Sequence, residues 1–121
     1  MREKTLYADT SFLIDLFNGR KEAVHILDEA ESIVTGSVCV YELSKIAEFD
    51  RSKLKGNTIL DLGKGDVRQA AGFYRDLSER GEKIGEVDYL IAGQVSNRDL
   101  VLVTRDRDFR KLDLQTRQYS V

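Results

Sequence analysis

Residues 100–109 read LVLVTRDRDF. The first five are near-continuously apolar, as a strand buried on both faces of a parallel sheet reads. The strand then breaks into alternating acids and bases, and RDRDFRKL (105–112) reads as a turn or short helix. Just upstream, EVDYLIAGQVSNR (86–98) carries Ile91, Ala92 and Val95 at i+3, i+4 and i+7 from Asp88. That spacing is the stripe of a helix facing a core. A helix feeding a doubly buried strand is the repeating unit of an α/β protein.

The same alternation runs outward in both directions. KTLYADT (4–10) reads as a short strand ending at Asp9, and SFLIDLFNG (11–19) as a helix closed by Gly19. KEAVHILDEA (21–30) is amphipathic, with Ala23, Ile26, Leu27 and Ala30 on one side. SIVTGS (32–37) is a strand, VCVYELSKIAEF (38–49) a helix and NTILDLG (57–63) a strand. DVRQAAGFYRDLSERG (66–81) is a long helix with Asp66 as N-cap and Gly81 just past its end. LQTRQYSV (114–121) is a last strand. Alternating strands and helices predict one domain over residues 1–121, an α/β/α three-layer sandwich on a mainly parallel sheet. Ligands in such sheets bind at the carboxyl ends of the strands.

The 121 residues fit a single core, and 41% hydrophobic with 33% charged residues describes a globular chain. A net charge of -2 supplies no global field to draw in nucleic acid, so any such contact is local or metal-mediated. Cys39, the only cysteine, excludes an internal disulfide and a cysteine zinc cage, and predicts a cytoplasmic setting. No apolar run is long enough to span a bilayer, so no membrane partner is expected.

The acids carry the chemistry. Asp9 ends the first strand, where an N-cap and a site residue are both expected. Asp15 reads as a surface or locally bonded acid outside the set. Glu42 lines up with Cys39, Ile46 and Phe49 beside an apolar face, its bland alternative being an ion pair to Lys45. Asp88 stands in a first helical turn, where the macrodipole favours an anion, yet on the inward stripe. Asp106 and Asp108 follow the LVLVT strand; local turn bonds would account for both. The interleaved Arg105, Arg107, Arg110 and Lys111 either neutralise these acids or hold phosphates. Converging carboxylates repel unless cations neutralise them, and oxygen-only ligation suits Mg²⁺ or Mn²⁺. Such clusters serve phosphodiester hydrolysis.

Rival motifs fail on residues. His25 is the only histidine and reads as a helix-surface or packing residue, so a two-histidine zinc site is out. GKGD (63–66) is too short for a P-loop, and no GxGxxG follows the first strand. An EF-hand loop from Asp106 would meet Arg110 and Arg117 at ligand positions. Ser11 stands where an aspartyl phosphatase needs its second acid, and no G-x-S-x-G occurs.

Four pieces in order, YADTSFLIDLF, VYELSKIA, GEVDYLIAGQV and LVLVTRDRDF, resemble a PIN domain, and more narrowly the VapC-type toxin ribonucleases. The resemblance covers nearly the whole chain, and the last two pieces are its most specific. It implies a Rossmann-like fold and an Mg²⁺- or Mn²⁺-dependent ribonuclease. Asp9, Glu42, Asp88 and Asp106 take the catalytic metal-site roles, with Asp9 and Asp88 in most direct contact. Thr104 matches the family's hydroxyl and would orient an acid or a water. Asp108 is a fifth acid, either joining a second metal or anchoring the turn. A homodimer and a VapB-type antitoxin are the implied partners beside RNA. Only DRSKLKGN (50–57) lies where toxin-type members often carry another helix; Arg51, Lys53 and Lys55 there either guide RNA or are plain solvated surface. The alternatives are a PIN-fold nuclease for RNA processing or DNA cleavage, and a weakly active or inactive RNA- or protein-binding module.

Overall fold

The computed structural model describes residues 4–54 and 58–121, with only the backbone of Arg51. Five parallel strands form one sheet in the order β3-β2-β1-β4-β5: β1 Leu6–Ala8, β2 Ile33–Gly36, β3 Thr58–Leu60, β4 Val101–Thr104 and β5 Thr116–Gln118. The helices are α1 Thr10–Phe17, α2 Lys21–Glu29, α3 Ser37–Ser44, α4 Lys64–Glu79 and α5 Glu86–Asn97. Short 3-10 turns span Arg51–Leu54 and Arg107–Lys111. The expected three-layer α/β/α sandwich on a parallel sheet is the fold observed. Among the described residues no helix is long and apolar enough to cross a membrane.

The central strands are the ones the sequence marks. Leu102, Val103 and Thr104 are fully buried on β4, and Tyr7 and Ala8 on β1. Strand order reverses between β1 and β4, so the crevice outside their carboxyl ends is the switch point where such sheets bind ligands. Ala8 pairs with Val103 in register, which brings the next residues, Asp9 and Thr104, side by side.

The stripe of α5 behaves as its spacing predicts. Ile91, Ala92 and Val95 are buried and Asp88, at its head, is half-buried. Gly93 lets α5 lie against α4. A Cβ there would be 2.6 Å from the Ala70 nitrogen and closer still to the Asp66 carbonyl, so no larger residue fits. Gly81 sits past the end of α4 at φ +70°, the left-handed position expected of it.

Three readings need correction. The N-cap of α4 is Gly63, and Asp66 is its third residue. From there the Asp66 carboxylate accepts from the Gly63 N–H at 2.8 Å. It also takes Asn97 Nδ2 at 2.9 Å and Arg98 Nη2 at 3.1 Å. Burial pushes its pKa up, but the bonds from Arg98, Gly63 and Asn97 outweigh that and hold it below the usual carboxylate value. The predicted helix over 38–49 ends at Ser44, because the chain turns to stack Phe49 on Phe17 at 5.5 Å between ring centres and leaves Ile46 exposed. Asp15 is buried, not surface: its carboxylate accepts from Arg105 Nε at 2.7 Å and the Tyr119 hydroxyl at 2.6 Å. His25 lies on the helix surface, 3.2 Å from Glu29. Lys55 lies outside the described residues, and Lys53 stands 5.6 Å over the Phe17 ring.

Candidate active site

Asp9 is both cap and buried acid. It is the N-cap of α1, its Oδ1 accepting from the Phe12 N–H at 2.9 Å and the Ser11 hydroxyl at 2.7 Å. Its Oδ2 accepts from the Thr104 hydroxyl. Only 3% of the residue is exposed. Burial pushes its carboxyl up to about 6; the Thr104, Phe12 and Ser11 bonds pull down and the charge of Asp106 pushes up. Three donors thus hold a costly buried carboxylate in one orientation.

Thr104 closes a short relay. Its oxygen donates to Asp9 and accepts from the Asp106 N–H at 3.0 Å. Asp106 in turn caps the 3-10 turn that follows β4, its Oδ1 accepting from the Asp108 N–H at 2.9 Å. Gln118 on β5 donates from Nε2 to the Asp106 carbonyl at 3.0 Å. The local turn bonds expected of an Asp-rich loop therefore exist, and they aim Asp106 rather than exhaust it, since the second carboxylate oxygen takes no part in them.

Asp88 stands in the first turn of α5, behind the N-cap Gly85. Burial is the largest influence on it, followed by the charges of Asp106, Glu42, Asp9 and Asp108, and together they push its carboxyl up to about 7. Those four acids come from α3 and from the ends of β1 and β4, so the fold gathers every sequence-predicted acid around one carboxyl. Oxygens of Asp88, Asp106 and Asp108 lie within 4.8 Å of one another, whereas Asp9 is engaged by its three donors. Glu42 flanks the group from α3, half-buried, its Oε1 accepting from the Thr10 hydroxyl at 2.6 Å. Lys45 stands 4.9 Å over the Tyr41 ring, and among the described residues no ion pair joins it to Glu42.

Oxygens alone make up this donor set, and its charges repel. It suits a hard divalent cation such as Mg²⁺ or Mn²⁺ and not zinc. Asp88, Asp106 and Asp108 are the residues able to share one ion, with Asp9 and Glu42 beside them.

Behind the acids lies a clamp that periodicity did not reveal. The buried Asp15 ties α1 to Arg105, the residue between Thr104 and Asp106, and to Tyr119 beyond β5. Tyr119 packs edge-on against Phe12 at 5.8 Å. The signal available was weak: an aspartate at an interior position of an otherwise apolar segment, FLIDLF.

The family model described as PIN domain matches residues 6–114. No curated protein matches the chain. Several solved structures share its fold at low identity. A chain of VapBC2 from Rickettsia felis, bound to a promoter DNA fragment, aligns with TM-score 0.82 and 18% identity over 96% of this chain and 99% of that one. A chain of the DNA-bound VapBC from Salmonella typhimurium gives 0.81 and 18% over 96% and 98%. One from VapBC-5 of Mycobacterium tuberculosis, a toxin-antitoxin complex, gives 0.75 and 21% over 98% and 100%. With a family match over nearly its whole length and its acids gathered at the switch point of that fold, the chain belongs to the PIN domain family.

Proposed function

We propose that this protein is a metal-dependent endoribonuclease that hydrolyses RNA phosphodiester bonds, and that it is the toxin of a toxin-antitoxin pair. PIN domains are nucleases, which sets the reaction class. The observation that carries the reading is the gathering of Asp106, Glu42, Asp9 and Asp108 around Asp88, whose carboxyl is pushed up to about 7 by burial first and then by these charges. A structural acid is matched with a cation, as Asp66 is with Arg98. Among the described residues the one cation paired with this group is Lys111, 3.5 Å from the half-exposed Asp108; Asp88, Asp106, Glu42 and Asp9 have none, and the donor set fits Mg²⁺ or Mn²⁺.

Each residue has a part. Asp88, Asp106 and Asp108 would hold the ion, and Glu42 and Asp9 would complete the acidic wall. Thr104 fixes the Asp9 carboxylate and the Asp106 backbone together, so both strand ends keep one spacing. When bound, the divalent ion supplies charge neutralisation and activation of water for attack at phosphorus. The products carry 5′-phosphate and 3′-hydroxyl ends. The toxin assignment and a VapB-type antitoxin rest on likeness to the VapBC complexes, a homodimer on the sequence resemblance alone, and a cytoplasmic setting on the free, buried Cys39.

Purified protein incubated with Mn²⁺ and end-labelled RNA tests the reading. Cleavage that stops on chelation and in Asp88→Asn supports it. Tight RNA binding without cleavage over hours would make the protein a binding module instead.

A further inference from the structure

The 3-10 turn after β4 sorts its side chains into three faces, because residues i and i+3 eclipse in a helix of three residues per turn. Phe109 and Leu112 enter the core. Asp108 and Lys111 face each other at 3.5 Å, on the side of the acidic group. Arg107 and Arg110 make the third face, exposed, where they line a cleft of about 350 Å³ with Arg105, Gln118, Tyr119 and Ser120. The other basic residues of the segment are committed: Arg105 to Asp15, and Lys111 to Asp108 and, at 3.4 Å, the Lys83 carbonyl. Among the described residues neither Arg107 nor Arg110 has an ion-pair or hydrogen-bond partner.

Two uncommitted guanidiniums thus sit one turn apart on the 3-10 turn that carries Asp108, on the face next to the one turned to the acids, in a protein whose net charge is -2. Forked, always-charged donors suit phosphate oxygens. We propose that Arg107 and Arg110 form a subsite for backbone phosphates of the single-stranded substrate, flanking the phosphate at the acidic group and leading the strand out between the 3-10 turn and β5. This rests on the nuclease reading for its substrate class. It also explains how an acidic protein approaches a polyanion: the attraction is local.

Fluorescence anisotropy with a labelled 12-nucleotide RNA, in EDTA so that nothing is cleaved, tests the subsite apart from catalysis. The protein is the full chain, compared with R107A/R110A, R107K/R110K and R68A/R75A, the last removing two exposed charges on α4. The expected result is about a 10- to 100-fold loss of affinity in R107A/R110A and a salt dependence shallower by about 1.4 in logarithmic slope, since each lost phosphate contact on a single strand removes about 0.7. R107K/R110K keeps most of the binding, and R68A/R75A stays within about twofold. DNA of the same sequence loses affinity in parallel if the backbone alone is read. Parent-like binding and slope in R107A/R110A overturn the subsite, and leave the nuclease reading intact if metal-dependent cleavage persists. Loss of binding in R107A/R110A with no cleavage by the parent supports the subsite and defeats the nuclease reading. A parent that binds no RNA, or whose arginines bind poly-glutamate in its place, overturns the proposal.

Discussion

The Thr104 hydroxyl donates to Oδ2 of Asp9, joining the carboxyl ends of the two central strands. The bond follows from the register that pairs Ala8 with Val103. The same oxygen accepts from the Asp106 N–H, so one hydroxyl fixes two acids. Thr104→Val keeps the shape and removes both bonds. Loss of a group that orients a metal ligand or its neighbour commonly costs about 10- to 100-fold in activity or metal affinity. The expected outcome is a loss of that size in cleavage rate with an unchanged fold, checked by Mn²⁺ titration of activity and by circular dichroism.

Stability should depend on pH and metal in opposite senses. Asp88 stands at about 7 and Asp9 at about 6, both above the ordinary 3.8. A folded state that binds protons more tightly than the unfolded chain is favoured at low pH, and these two groups lose that stabilisation as pH rises from about 4 to about 7. Without metal, Asp88→Asn is therefore more stable than the parent at pH 8, and the two draw together near pH 5. Added Mn²⁺ raises the melting temperature of the parent more at pH 8 than at pH 5. The shifts are of several degrees, since about 1 kcal/mol moves a domain of this size by roughly 4 °C. Scanning fluorimetry across pH, with and without Mn²⁺, reads both effects.

Arg105 stabilises the loop that carries Asp106. Its partner Asp15 is buried, and Arg105→Met would leave that carboxylate with the Tyr119 hydroxyl as its remaining side-chain partner. Because the arginine is itself partly exposed, the loss is expected at about 1–3 kcal/mol rather than the larger figure for a fully buried pair. Urea denaturation of the metal-free protein measures it.

Gly93→Ala is expected to destabilise by about 1–3 kcal/mol through overpacking of α5 on α4. Gly72→Ala on α4, where a Cβ meets only the Arg75 guanidinium at 3.9 Å, should be neutral or slightly stabilising. Paired denaturation curves distinguish the two positions.

The fold was legible where a local pattern carried it. LVLVT reads as a doubly buried strand and is one, and Asp88 heads a stripe whose other members are buried. Local signals misled where two structures share them. An aspartate at the third position of a helix looks like a cap when the real cap is Gly63, which has no side chain to announce itself. The apolar spacing of Ile46 and Phe49 continues that of α3, although the chain has already turned away. Asp15 was out of reach for a different reason: its partners are 90 and 104 residues away, so nothing local reveals its burial. The candidate acids were found from strand ends and the inward stripe. That Asp108 joins Asp88 and Asp106 within 4.8 Å depends on a cap bond and a 3-10 turn, which periodicity does not encode.

The proposed activity of the group around Asp88 is hydrolysis of RNA with a divalent ion. Single-turnover cleavage of labelled RNA by the parent and by Asp88→Asn, with Mn²⁺ and then with EDTA, tests it most directly. Metal-dependent cleavage by the parent to 5′-phosphate and 3′-hydroxyl ends is expected, with a rate reduced at least about 100-fold in a folded Asp88→Asn. Cleavage by Asp88→Asn at the parent's rate, or by the parent in EDTA, would contradict it.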